Sequence, residues 1–167
     1  MTLSMYQASV PVFVRQLTAL SKILDKAIEQ SAAGTLDAAT LLSARLAPDM
    51  FALPRQVQIA TDGAKGSARL AGIEIPAFAD EEVTFDDLKQ RIAKTIAFLQ
   101  TITPEQIDGS EERVINLKAG QREMTLSGQD FLLGFVLPNF FFHVTVAYSL
   151  LRHGGVTIGK LDYLGAS

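Results

Sequence analysis

Cysteine is absent from this sequence of 167 residues. Disulfide bonds, thiolate-based zinc sites and cysteine nucleophiles are therefore excluded, and the chain does not require an oxidising compartment. Basic residues are not clustered and the formal net charge is −3, so we expect no nucleic-acid partner. The first six residues lack the basic and apolar stretches of a secretory signal, so we expect a cytoplasmic location.

Motifs for phosphate and nucleotide binding are also missing. The chain contains no G-x-x-x-x-G-K, G-x-G-x-x-G or G-x-S-x-G pattern. Its length suits one domain, residues 1–167, which can bury roughly two-thirds of its unfolded surface without disulfides or metals. We therefore expect a single folded domain, and no cofactor is expected from the motifs.

One apolar run, residues 131–151, is long enough to span a bilayer. Pro138, Asn139 and His143 would then lie near its centre, where polar groups are costly. The chain has no second run of this kind. A central helix that is buried on most of its circumference explains the pattern better, so we expect no membrane insertion.

Apolar residues recur at steps of three and four along several segments, which predicts long helices. The predicted long helices cover residues 3–30, 48–70, 84–102 and 127–153, and a short helical segment covers 36–46. Pro11 is expected to kink the first helix, and Pro48 is expected to open the second. Thr84 and Asp87 have the spacing of a capping box at the start of the third helix.

The connections between these helices complete the expected fold. Residues 71–83 are too many for a tight turn and enough to cross a bundle, while residues 114–126 have the pattern of a small β-hairpin. The tail after Gly155 is predicted to be extended. The sequence therefore predicts an all-α fold, an up-and-down four-helix bundle with a long crossover between helices 2 and 3 and a β-hairpin before helix 4.

Asn139 and His143 are the most informative polar residues of the fourth helix. They differ by only about 40° around the helix axis and share a side with apolar residues, so both are expected to point inward. Three roles are open to them. They form hydrogen bonds with each other or with a backbone carbonyl in the core, they line a pocket for a ligand or polar substrate, or they bind a metal. A transition metal needs about three protein ligands. His153 lies about 15 Å further along the helix, so it cannot share a metal with His143.

Polar residues of the second helix are further candidates. Gln58, Asp62 and Lys65 lie within about 60° of one another on the helical wheel, together with Arg69. They form either a solvated face with an Asp62–Lys65 ion pair or a polar groove that faces His143. The remaining polar-tipped candidates are Tyr6 and Gln7 in the first helix and Tyr148 in the fourth.

Four stretches of the chain resemble a known family. They are RLAPDM (45–50), QVQIATDGAK (56–65), ARLAG (68–72) and PNFFFHVTVAYSLLRHGGVTIGKLDYLG (138–165). Together they resemble the DinB/YfiT-like four-helix-bundle superfamily and, within it, the uncharacterised group called domain of unknown function 1993. The resemblance covers nearly the whole chain and implies a DinB-like bundle.

The resemblance also implies a site and a partner. DinB-like proteins carry one histidine on the second helix and an H-x-x-x-H pair on the fourth, which hold a divalent metal, and some are thiol-dependent transferases. His143 matches the second histidine of that pair, Asn139 replaces the first, and the second helix has no histidine. Homodimers through bundle helices are common in the superfamily, so a homodimer is expected.

Two functions follow from these residues. The first is a non-catalytic or degenerate DinB-like protein with a small-ligand or partner-binding pocket near His143. The alternative is a metal-dependent, thiol-linked transferase or hydrolase with an altered metal site that uses His143 and Asp62. Whether the protein is an enzyme is left open by the sequence.

Overall fold

The computed structural model describes residues 3–166, which are mostly helical and include one small two-stranded antiparallel sheet. A single turn of 3-10 helix, Ser67–Leu70, directly follows the helix Leu53–Gly66. A π-helical segment, Phe131–Val136, joins the short helix Gly128–Asp130 to the long helix Leu137–His153. The elements are α1 (Val10–Ala32), α2 (Ala38–Ser43), α3 (Leu53–Gly66), α4 (Phe85–Leu99), α5 (Pro104–Ile107), β1 (Ile115–Ala119), β2 (Arg122–Leu126), α6 (Gly128–Asp130), α7 (Leu137–His153) and α8 (Lys160–Leu164).

The long helices α1, α3, α4 and α7 enclose the apolar core. Helix α3 packs against α7 and α4, and α1 packs against α4 and α7. Phe13 of α1 and Phe140 of α7 are both fully buried and meet edge to face, with ring centroids 4.9 Å apart. The predicted mostly helical fold with a small hairpin is confirmed.

Local signals set the starts of α4 and α5, and the one at α4 acts as the sequence predicts. The hydroxyl of Thr84 accepts a hydrogen bond from the N–H of Asp87, whose carboxylate accepts one from the N–H of Thr84. This capping box satisfies two of the donors that every helix leaves unpaired at its start. Helix α5 likewise begins directly after Thr103 with Pro104 in its first turn.

Two predicted helix starts are wrong. Helix α1 begins at Val10 instead of residue 3, so Pro11 lies in its first turn, where the missing N–H removes no helical hydrogen bond, and no kink is needed. Helix α3 begins at Leu53 with Pro54 in its first turn, so Pro48 does not open it.

The tail after Gly155, predicted to be extended, contains α8. The side-chain amide of Gln16 donates to the carbonyl of Tyr163 at 2.8 Å, and Lys26 forms an ion pair with Asp162 at 2.6 Å. These contacts hold α8 against α1, and a tertiary contact of this kind leaves no local pattern in the sequence.

The last long helix runs without a break from Gly128 to His153 but widens in the middle. Across Phe131–Val136 the hydrogen bonds follow π-helical spacing, and the N–H of Leu137 donates to the carbonyl of Leu132. Pro138 follows directly; it has no N–H, and its ring would clash with the carbonyl four residues earlier in a regular helix. The wide turn accommodates this proline inside a continuous helix.

The same helix, Gly128–His153, is long and apolar enough to cross a membrane by length and composition. Of its most apolar 18-residue window, 39% is buried, and α7 packs against α3 and α1. The core helix of a soluble protein passes the same test, so a single helix of this kind is weak evidence for a membrane span.

Candidate functional site

His143 lies on the side of α7 that faces α3, and only 8% of its surface is exposed. Its Nδ1 is 2.7 Å from Oε1 of Gln56 on α3. The Nε2 of Gln56 donates to the carbonyl of Phe51 at 2.9 Å, which turns the amide oxygen toward the ring. The hydrogen-bond network therefore assigns the imidazole proton to Nδ1, which donates to Gln56.

The second ring nitrogen of His143 is left as an acceptor. Burial, and next the positive charge of Arg55, lower the pKa of His143 below its ordinary value, so the ring is neutral at neutral pH. Buried polar side-chain atoms without a partner, within residues 3–166, are the hydroxyls of Ser31 and Ser110. Nε2 makes no hydrogen bond in that part of the chain and is not one of these atoms, so it reaches the surface with a free lone pair.

Asn139 lies one turn before His143 and is half-buried. Its Nδ2 is 3.6 Å from the point where a Cβ on Gly63 would lie. Gln56 faces His143 and Gly63 faces Asn139, so α3 and α7 run in opposite directions at this contact. His143 is buried, as the helical wheel predicts, but its partner is the Gln56 amide, and the expected bond to Asn139 or a backbone carbonyl is not formed in the described chain.

The polar face of α3 is partly covered and partly solvated. Gln58 and Lys65 are only 5% and 3% exposed, whereas Asp62 is exposed. The predicted Asp62–Lys65 ion pair is present at 3.0 Å. The cover is the connection between α3 and α4, whose residues 76–83 we call the strap. Nζ of Lys65 donates to the carbonyl of Pro76 at 3.0 Å, and Nε2 of Gln58 donates to Glu82 at 2.9 Å.

Arg91 of α4 is the central residue of this second cluster, and sequence reasoning missed it. It is 2% exposed, and its Nε donates to the hydroxyl of Thr61 at 2.8 Å. Nη2 donates to Asp62 at 2.9 Å, and Nη1 donates to Glu82 at 3.0 Å. Burial alone would lower the pKa of Arg91, but the Glu82 hydrogen bond and the neighbouring carboxylates raise it above its ordinary value.

A signal for Arg91 was present in the sequence. Leu88, Ile92 and Thr95 share one face of the helix that begins after Thr84. Arg91, three residues after Leu88, falls on that same face. An arginine at a core-facing position requires buried partners, because an unpaired buried charge is too costly. This pattern could have pointed to a buried ion cluster at the α3–α4 contact.

Arg55 connects the two polar regions. Its charge lowers the pKa of His143, while its Nη1 donates to Oε1 of Gln58 at 3.2 Å and pairs with Asp80 of the strap. In the described part of the chain, no hydrogen bond joins Gln58, Asp62 or Lys65 to His143. The predicted polar groove is therefore filled by the strap instead of opening toward the imidazole.

Comparison with known proteins identifies the family. A search of curated proteins finds no significant match. The family model for a domain of unknown function, DUF1993, matches residues 5–164. The chain belongs to the DUF1993 family. The DUF1993 chain also resembles the crystal structure of a DinB family member from Shewanella denitrificans, with 39% identity and a TM-score of 0.87 over 97% of this chain and 92% of that one. The resemblance read from the sequence is confirmed.

The donors around His143 of this DUF1993 chain do not fit the divalent metal that a DinB-like fold implies. Within residues 3–166, no three histidine, aspartate or glutamate side chains come together in a metal-binding arrangement. The ring bonds the amide of Gln56, and the amide of Asn139 lies one turn earlier on α7; amides are poor ligands for zinc or iron. One imidazole nitrogen alone cannot hold such an ion.

The other predicted candidates lie apart from His143 in the DUF1993 fold. Tyr6 is half-buried before α1, where its backbone N–H donates to Asp108 at 2.8 Å. Tyr148 packs edge to face against Tyr163 of α8, with centroids 5.7 Å apart. Within the described residues no contact joins either tyrosine to the imidazole.

Proposed function

We propose that this protein is a non-catalytic member of the DinB-like bundles that binds a small ligand or a partner where α3 meets α7, around His143. One observation carries the proposal. The Nδ1 of a neutral, buried imidazole is fixed by Gln56 at 2.7 Å, while Nε2 keeps a free lone pair at the surface. A fixed, neutral acceptor binds a ligand N–H or O–H without the cost of orienting a mobile side chain.

The surroundings of His143 support an amphipathic ligand. Phe142 is 54% exposed and its ring lies edge to face with the imidazole, with centroids 5.2 Å apart. Phe51 is 52% exposed, and the guanidinium of Arg55 lies 5.8 Å from its ring centroid. An acceptor, a cation and two exposed aromatic rings fit a molecule with one polar donor group and an apolar body.

The test is a ligand screen read at the imidazole. Small neutral amides, alcohols and phenols are added to the protein while the Cε1–H signal of His143 is followed by NMR. We expect binders to shift this signal, and the Phe142→Ala variant to weaken them. His153→Gln serves as the matched control, because His153 is exposed on the same helix. Binders that shift only signals remote from α3 and α7 would refute the proposal.

The alternative function is a metal-dependent transferase or hydrolase with an altered site. The donor set around His143 argues against it, and metal analysis of protein purified without a histidine tag decides between the two. We expect far less than one zinc, nickel or iron per chain. One metal per chain that is lost in His143→Ala would support the enzyme instead.

We further propose that residues 71–83 cross the bundle and return the chain to the end where α3 begins, so that α4 runs in the same direction as α3, and that the protein is a cytoplasmic homodimer. The opposite directions of α3 and α7, the second and fourth long helices, support the crossover, because strict alternation of the four helices would make these two parallel. Leu133, 52% exposed, and Phe142 place apolar surface on the outside of the last long helix, which supports pairing. Sedimentation should show a dimer that dissociates in Leu133→Glu but not in the control Leu161→Glu, since Leu161 is equally apolar and 64% exposed on α8.

A further inference from the structure

The strap is attached to the helices mainly through cations. Within the described residues, no backbone-to-backbone hydrogen bond involves residues 76–83. Instead, Arg91, Lys65 and Arg55 contact five strap residues: Pro76, Phe78, Ala79, Asp80 and Glu82. A segment held by side-chain contacts alone can separate from the helices without breaking secondary structure.

The charges of this cluster are balanced only while the strap is in place. Three cations, Arg55, Lys65 and Arg91, face the carboxylates of Asp62, Asp80 and Glu82. Asp80 and Glu82 belong to the strap, so without it the α3–α4 groove keeps three cations and one carboxylate, a net charge of +2. Two of these cations are almost fully buried, at 3% for Lys65 and 2% for Arg91.

The groups left in the groove already have the geometry of an anion site. Arg91 is held by the hydroxyl of Thr61 and by Asp62, so its Nη1 stays directed at the position of the strap carboxylates. Nε2 of Gln58 donates to the same carboxylate, Glu82, at 2.9 Å. A planar guanidinium with an amide donor beside it is well suited to two negatively charged oxygens on one compact molecule.

A route to this position is open from solvent. A cavity of about 400 Å³ lies between the strap and α4, and its lining includes Arg91, Glu82 and Phe78. Gln90 and Lys94 also line it and add a donor and a cation, while Glu81 and Asp87 add two carboxylates. An anion can therefore reach Arg91 beside Glu82 before the strap has moved.

We propose that the groove between α3 and α4 is a binding site for a small dianion, a dicarboxylate or a phosphate monoester, and that Asp80 and Glu82 occupy it as an internal competitor. A ligand displaces the two strap carboxylates from Arg91 and Arg55 and takes over their hydrogen bonds. The ligand forms about as many charge-assisted hydrogen bonds as the strap carboxylates lose. Its affinity therefore depends on how strongly Asp80 and Glu82 bind the same cations. This site lies on the α4 side of α3 and does not depend on His143.

The test removes the competitor and measures binding of succinate and inorganic phosphate by titration calorimetry, at ionic strength matched with sodium chloride. We expect Asp80→Asn/Glu82→Gln to bind at least tenfold more tightly than the natural chain, and uncharged succinamide not to bind. Glu74→Gln/Glu112→Gln makes the same charge change at two exposed positions outside the strap and the cavity and should bind like the natural chain. Equal affinities for both variants, or no saturable binding to the first, would overturn the proposal.

A second measurement uses the natural chain and does not depend on the folding of a variant. Phe78 lies over Lys65, with Nζ 3.8 Å from its ring centroid, so strap displacement exposes it to chymotrypsin. Saturating succinate should accelerate cleavage after Phe78 severalfold, and succinamide should not. Unchanged or slower cleavage would show that the ligand does not compete with the strap.

Discussion

Two buried side chains face α3 from its two neighbours, His143 from α7 and Arg91 from α4. The imidazole is neutral, bonds one amide and keeps one nitrogen free. The guanidinium is charged, and side chains or carbonyls of five residues surround it: Thr61, Asp62, Ala79, Asp80 and Glu82. A neutral group needs one partner to be buried and can remain available to a ligand, whereas a buried charge requires a closed network.

The largest expected effect is zinc binding, gained by adding the metal ligands that the α3–α7 contact lacks. The change is Gly63→His with Asn139→His, and a Cβ on Gly63 meets only Asn139, at 3.6 Å, so the two new imidazoles lie side by side one turn from His143. Three histidines are a sufficient donor set for zinc. We expect a Kd of about 1 µM or tighter, which is about 8 kcal/mol of binding free energy, measured by calorimetry. The same variant with His143→Ala is the control. Equal zinc affinity in that control would show that His143 is not the third ligand.

The second effect tests the closed network of the α3–α4 contact. Arg91→Met keeps an unbranched side chain but leaves Glu82 and Asp62 without their main partner. Breaking a buried ion pair from one side costs about 3–5 kcal/mol, so the free energy of unfolding should fall by that amount. Urea denaturation measures it. Lys94→Met, one turn later and exposed, should change stability by less than about 0.5 kcal/mol.

The third effect tests the single hydrogen bond of the α3–α7 contact. Gln56→Leu retains the volume but leaves the Nδ1–H of His143 without an acceptor. An unsatisfied buried donor costs about 1–3 kcal/mol, so the loss should be smaller than for Arg91→Met. Gln90→Leu on exposed surface of α4 is the matched control. If Gln56→Leu lowered the free energy of unfolding as much as Arg91→Met does, the neutral α3–α7 contact would not be the less costly one to break.

The smallest effect is a pH dependence that only the α3–α7 contact should show. Burial and Arg55 hold the pKa of His143 below its ordinary value of 6.5. As the pH falls, the unfolded chain therefore binds this proton before the folded chain does, and the folded state loses stability.

The free energy of unfolding should be level above the ordinary pKa and should fall as the pH drops from 6.5 through the lowered pKa. The difference between the natural chain and His143→Phe isolates this contribution, and His153→Gln should leave the slope unchanged. A His143-dependent increase in stability toward acid pH would show that the ring is charged in the fold.

The sequence predicted those parts of the molecule that local rules decide. The Thr84 and Asp87 capping box, the hairpin and the inward position of His143 follow from spacing within one element. The hydrogen-bond partner of His143 could not be predicted in this way, because it depends on how α3 is aligned along α7. Until that alignment is known, Gln56 and Gln58 are equally plausible partners. The wheel placed Gln58 on a polar face correctly but could not show that a distant segment covers it.

The strap itself illustrates the limit of local reasoning. Residues 76–83 have no helical or strand pattern, so they were recognised only as part of a linker. Their role depends on carbonyls and carboxylates that meet cations from two different helices. The start of α3 was misplaced for a related reason, because Pro48 and Pro54 both suit a first turn and only packing selects Pro54.

The π-helical segment Phe131–Val136 has a consequence for length variation in this family. Its turn contains one residue more than an α-helical turn with the same ends. Deleting one residue there restores ordinary helical spacing and leaves Asn139 and His143 aimed at α3. The same deletion between Pro138 and His143 would rotate the imidazole by about 100°. Relatives whose last helix is one residue shorter at this turn can therefore retain the α3–α7 contact unchanged.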